Sequence, residues 1–74
     1  MVLAMERKKI SAGSIRSVGY DARNRMLEVE FSNGGIYQYS GVSEEVHRRF
    51  MNVPSPDSYF HDNIEENYSG KKMR

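Results

Sequence analysis

The chain has no cysteine, no tryptophan, only two prolines and two histidines, and no long apolar run. Each shortage removes a class of answer. Without cysteine there is no disulfide framework and no thiolate zinc site, which suits a reducing compartment; a cytoplasmic protein is expected. No stretch approaches the roughly 20 apolar residues of a membrane-spanning helix. Met1 to Met5 is too short for a signal-peptide core, and the basic residues follow it rather than precede it. No membrane association is expected. Zinc takes three or four ligands, and beside His47 and His61 the nearby oxygen donors are Asp57 and Asp62. No metal and no other cofactor is therefore expected.

The pieces of catalytic machinery are missing as well. Serines are plentiful, but none lies in a strained glycine-flanked elbow. Glu65 and Glu66 are adjacent, so on a helix they diverge by about 100°. Gly34-Gly35 lacks the lysine and following helix of a phosphate-binding loop. A chain of 74 residues also leaves little room for a deep pocket. The expectation is a protein that is not an enzyme and takes no small-molecule substrate.

What is present is patterned. Leu27, Val29 and Phe31 alternate with Glu28, Glu30 and Ser32, the period-two signature of a strand with one dry face. Asn33-Gly34-Gly35 is a strong turn signal, and Tyr37 and Tyr39 alternate on the return. A two-residue loop at Asn33-Gly34 would put both tyrosines on the face of Glu28 and Glu30, as a surface platform on which bases could stack. A three-residue loop, Asn33-Gly34-Gly35, pairs Phe31 with Tyr37 and Val29 with Tyr39 and gathers four large side chains on one face. The second register is favoured, with Gly35 as the left-handed residue and both tyrosines in the core.

The remaining elements follow in order. Residues 1–13 read as a flexible tail carrying Arg7-Lys8-Lys9. Ser14 to Asp21 reads as a strand whose apolar positions, Ile15, Val18 and Tyr20, need a bulge near Arg16-Ser17 to share a face. Asp21 to Arg25 is a polar turn in which Asn24 suits the left-handed position. Ser43 caps a first helix with Glu44 and Glu45 in its first turn, and Val53-Pro54 stops it. Ser55-Pro56-Asp57 starts a second helix with Phe60, Ile64 and Tyr68 inward, ended by Gly70. Residues 71–74 read as a basic tail. The predicted fold is α+β: a three-stranded antiparallel meander followed by two helices packed on one face, within one domain spanning 14–70. Its predicted core is Ile15, Val18, Tyr20, Leu27, Val29, Phe31, Tyr37, Tyr39, Val42, Val46, Phe50, Phe60, Ile64 and Tyr68.

Charge is nearly balanced, with 11 basic and 10 acidic residues for a net +1, but it is unevenly distributed. Residues 1–25 hold six basic groups against Glu6 and Asp21, whereas residues 43–70 hold six acidic groups against Arg48 and Arg49. Arg16, Arg23 and Arg25 lie around the first turn and Arg48 and Arg49 on the first helix. On a shared surface they could hold a phosphate backbone. Scattered arginines that merely maintain solubility are an equal reading of the same residues.

Ser14-Ile15, Val18-Gly19-Tyr20-Asp21, Leu27 to Phe31, Gly35 to Tyr39, Val42 and Ser55 to Phe60, through Ile64 and Tyr68, together resemble the KTSC domain. That family is named for the C-terminal extension of some lysyl-tRNA synthetases. Its members also occur as single-domain bacterial and phage proteins. The resemblance spans about residues 14–70 and centres on the Tyr-x-Tyr of Tyr37 and Tyr39. It implies a stand-alone, non-catalytic module, and RNA binding by association with the synthetases. Two positions depart from the family pattern: Asp57 stands where many members have glycine, and Glu65 where many have arginine. Both make the last helix acidic and a poor RNA surface. The leading expectation is weak RNA binding through Arg23, Arg25, Arg48 and Arg49. The alternative is a protein-interaction or self-associating module with no nucleic-acid role.

Overall fold

The computed structural model describes residues 7–74, apart from the side chains of Arg7 and Ser11. Five strands, β1 (Arg7–Ala12), β2 (Ile15–Asp21), β3 (Met26–Phe31), β4 (Ile36–Ser40) and β5 (Gly70–Lys72), form one antiparallel sheet in sequence order. Between β4 and β5 lie α1 (Glu44–Asn52) and α2 (Pro56–Tyr59), which widens into a π-helical stretch over Phe60–Glu65.

The central hairpin keeps its predicted faces with a shifted loop. The loop is Ser32-Asn33-Gly34, one residue earlier than expected, so Val29 pairs with Tyr37 and Leu27 with Tyr39. Phe31 N–H donates to the Gly35 carbonyl at 2.8 Å, and Gly34 N–H donates to the Phe31 carbonyl at 2.9 Å. Gly34, not Gly35, takes the positive φ, at 92°. This is a turn closed by a left-handed glycine bulge. The Asn33 side chain sets its place by accepting from Gly35 N–H at 2.8 Å. Sliding the loop by one residue moves each pairing by two, and a two-residue slip leaves every side chain on its original face.

The bulge in β2 forms where expected: Ile15 pairs with Phe31 but Ser17 with Glu30, so Arg16 is the extra residue. Ile15 and Val18 are thereby both buried on the helix-covered face. In the next turn the left-handed residue is Arg25, with φ 53°, rather than Asn24. Asn24 is held otherwise: its side-chain amide donates to Asp21 Oδ2 at 2.7 Å, while Asp21 Oδ1 accepts from Arg23 N–H at 3.0 Å.

The three-strand expectation is corrected to five. Residues 7–12, read as tail, are β1; residues 70–72, read as helix stop and tail, are β5. Residues 1–6 of the expected tail lie outside the described residues. Both added strands run along the edges of the predicted meander and take up backbone groups that β2 and β4 would otherwise leave open. Gly13-Ser14 makes the β1–β2 connection, with Ala12 paired to Ile15 and Gly13 at φ 59°, the sign that a two-residue hairpin turn requires. Beyond β5, Met73 N–H donates to the Ile36 carbonyl at 2.7 Å, extending the pairing along β4.

The helices cover one face. Ser43 caps α1 as expected, its hydroxyl accepting from Val46 N–H at 3.2 Å. Ser55 occupies the corresponding place before Pro56 but makes no side-chain capping bond. Leu27, Val29, Val42, Phe50 and Ile64 are fully buried, each contributing about 1.5–3 kcal/mol by removal from water. Phe60 is the hub: its ring meets Phe31 at 5.6 Å, Tyr39 at 5.4 Å and Phe50 at 6.1 Å between centroids. Every predicted core residue is buried here or packed against those that are. Ile36 is also buried, on the opposite face, where the pattern offers no partner for it.

Candidate nucleic-acid interface

The site is built on the junction between the sheet and α1. Tyr20 lies on the helix-covered face at the end of β2, and its hydroxyl donates to the Val42 carbonyl at 2.5 Å. That bond fixes the chain one residue before the α1 cap. His47, one turn into α1, lays its ring on Tyr20 with centroids 4.4 Å apart and planes 9° from parallel. Burial pushes the His47 pKa below the ordinary histidine value, with Glu44 opposing. Burial also raises the Tyr20 phenol; Glu44 adds to this, while the Arg25 guanidinium opposes it. The junction is thus a neutral aromatic pair with a carboxylate and an arginine close enough to act on it.

A cleft of about 480 Å³ opens beside this pair. Val18 and Tyr20 of β2 and Met51 of α1 give it apolar surface. Glu44, Arg48 and Asn52 line it along the helix, and Lys8 closes it from β1. Lys8 is there because its register partner is Val18, so it lies on the helix-covered face at the rim of the sheet. Asn52 is oriented by donating from Nδ2 to the Arg48 carbonyl at 2.7 Å, which leaves its carbonyl oxygen free of that bond.

The four arginines of the sequence reading occupy neighbouring elements, and the structure brings two of them to this junction. Arg48 lines the cleft. Arg25, in the β2–β3 turn, acts on Tyr20, and its carbonyl accepts from Val42 N–H at 3.0 Å, holding the turn against the approach to α1. Arg23 is exposed in the same turn. Arg49 is exposed on α1 and engages Glu45 at 3.3 Å, with both side chains about two-thirds accessible. Neither Arg23 nor Arg49 lines the cleft. Tyr37 and Tyr39 belong to the packing: Tyr39 is buried, and Tyr37 is half-buried against Phe31 with centroids 5.7 Å apart. They do not form an exposed platform.

Lys8, Tyr20, His47, Met51 and Asn52 come together only through the fold. Tyr20 and His47 are separated in sequence by a hairpin and a turn, and no local spacing joins them. Lys8 carried a readable signal, the Gly13-Ser14 hairpin dipeptide that places the preceding residues in a strand.

A second cleft, of about 350 Å³, has the opposite character. Asp57, His61 and Glu65, one helical turn apart, line it with Ser14, and His61 Nδ1 pairs with Glu65 Oε1. Asp57 and Glu65 share one wall of it. A third, of about 450 Å³, is lined by the Asn33–Gly35 turn, Tyr37, Lys72 and Arg74. Among the described residues no group of three or more His, Asp or Glu side chains is arranged to hold a metal ion. No helix among them is long and apolar enough to cross a membrane.

Fold and site together define a small α+β domain, a five-stranded meander covered by two helices, with an aromatic cleft that carries Lys8, Arg48 and Glu44 at one sheet–helix junction. The chain belongs to the KTSC domain family, whose pattern matches residues 11–68. The crystal structure of a KTSC domain protein from Yersinia pestis superposes with a TM-score of 0.88 at 40% identity, covering 96% of this chain and all of that one. A protein of Stutzerimonas stutzeri is 39% identical over 56 residues, 76% of this chain and 79% of the relative. A lysine–tRNA ligase of Trichormus variabilis is 28% identical over 72 residues. That match takes in 97% of this chain but 13% of the ligase.

Proposed function

We propose that this domain is a non-catalytic module that binds RNA weakly through the junction of β1, β2 and α1. Arg25 and Arg48 would be its principal phosphate contacts, with Arg23 and Arg49 flanking them. The observation that carries this reading is the placement of Lys8, Arg25 and Arg48 about the half-buried Tyr20–His47 stack. Cations neutralise phosphates and release their counterions, and aromatic and thioether surface accepts bases of any sequence. The likeness to a segment of a lysine–tRNA ligase supports the reading, because that enzyme handles tRNA. The acidic wall of Asp57 and Glu65 would repel phosphate and disfavour that face for a nucleic acid.

Few cations are involved and the net charge is only +1, so binding is expected in the micromolar range; being electrostatic in origin, it weakens as salt rises. Fluorescence anisotropy with a labelled single-stranded RNA, a tRNA and a duplex, at low and moderate salt, tests it. The expected result is binding that weakens with salt and is lost in Arg48→Glu/Arg49→Glu while circular dichroism stays unchanged. No binding to any of the three at low salt would contradict the reading and leave a protein-interaction module as the alternative.

A further inference from the structure

The cleft has features that a simple phosphate-binding surface does not need. It is an open groove of about 480 Å³. Its apolar surface comes from Val18, the Met51 thioether and the Tyr20–His47 pair. Hydrogen-bond acceptors lie toward both ends of α1: the Glu44 carboxylate, and Asn52, whose Nδ2 is committed to the Arg48 carbonyl. Eight residues of α-helix separate these acceptors by about 12 Å along the axis. Lys8 and Arg48 supply positive charge at the rim.

Acceptors beside apolar surface suit the N–H groups and flat face of a nucleobase, and adjacent cations suit its phosphate. A base within a duplex has its faces stacked and its pairing edge occupied, so it can present neither. Resting on the RNA reading above, we propose that the cleft holds one unpaired nucleotide. The base lies against Met51 and the Tyr20–His47 pair, N–H donors on its edge are taken by Glu44 or Asn52, and the phosphate is held at Lys8 and Arg48. The domain then selects looped or single-stranded RNA over duplex by shape, with little preference for sequence.

The test separates base from backbone without altering the protein. Anisotropy is measured for the full chain with a short single-stranded oligoribonucleotide, with the same strand carrying abasic sites, and with its duplex. Stacking of one base is worth about 1–3 kcal/mol, so the abasic strand should bind at least about five- to tenfold more weakly than its parent, and the duplex should be weaker too. In parallel, a strand carrying 4-thiouridine is cross-linked under ultraviolet light and the adducts are mapped by mass spectrometry. Adducts at Tyr20, His47 or Met51 are expected. Equal affinity for parent and abasic strands would overturn the subsite while leaving backbone-only RNA binding intact. Adducts confined to Tyr37, Lys72 or Arg74 would overturn it in the same way, moving the base to the concavity beside the hairpin loop. If neither strand binds at low salt, the RNA reading itself falls and the subsite with it.

Discussion

His47 is the residue in which structure and titration meet most directly. Its ring is held against Tyr20, an arrangement worth about 0.5–1.5 kcal/mol beyond area burial. Burial holds its pKa below the ordinary value. In the unfolded chain His47 takes its proton near pH 6.5, its usual value, whereas the folded chain resists until lower pH. Between those points the unfolded state binds more protons, so this contribution is fully present above about pH 6.5 and is lost as pH falls toward the folded value. The protein should therefore show a lower urea midpoint at about pH 5.5 than at about pH 7.5. His47→Phe, which keeps a ring on Tyr20 but cannot titrate, should show a smaller drop. An equal drop in both would mean that other groups set the acid response. Tyr20 itself was legible as core from the strand pattern. Its pairing with His47 was not, because ring stacking between a strand end and a helix leaves no local period.

Among the elements, the interior hairpins and α1 were legible and the edge strands were not, for a physical reason. Leu27, Val29 and Phe31 declare their strand because one face of it is buried. Gly70-Lys71-Lys72 is exposed throughout, so no alternation marks it. It is a strand because β4 offers an open edge and because Gly70 can lie on Tyr39. A side chain there would not fit: a Cβ on Gly70 would come within 2.5 Å of Tyr39 Cε2 and 2.8 Å of Cζ. Gly70→Ala is therefore expected to cost about 1–3 kcal/mol in denaturant unfolding, as overpacking does. It should also speed amide exchange along Ile36–Ser40 and Gly70–Lys72 while α1 keeps its protection. Unchanged exchange in β4 would show that β5 does not depend on this close approach. β1 is a different case, since Gly13-Ser14 is a hairpin signal in the sequence and the lone Ile10 gave the strand too little apolar pattern to follow it. The candidate site suffered most from that omission, because Lys8 reaches the cleft only as part of β1. In the central hairpin the face assignment survived a loop displaced by one residue because only an odd slip exchanges faces.

At the scale of the whole molecule, a nearly neutral chain is divided into a basic and an acidic surface. Lys8 and Arg48 line one cleft, Arg25 lies in the turn whose backbone bonds Val42, and Asp57 and Glu65 line another. Net charge describes neither, and only the topology shows that a residue from the N-terminal strand, one from a turn and one from the first helix share a junction. On the reading proposed above, that division would favour the Tyr20–His47 junction over the acidic cleft for a polyanion. The most direct test is amide chemical-shift mapping of the isotope-labelled protein titrated with a short single-stranded RNA at low salt. Progressive shifts concentrated at Lys8, Val18, Tyr20, Arg25 and His47 to Asn52, with Asp57 to Glu65 unmoved, are the predicted result. Shifts centred on the last helix, or spread only along Lys71 to Arg74, would contradict the assignment of the RNA surface to the Tyr20–His47 junction.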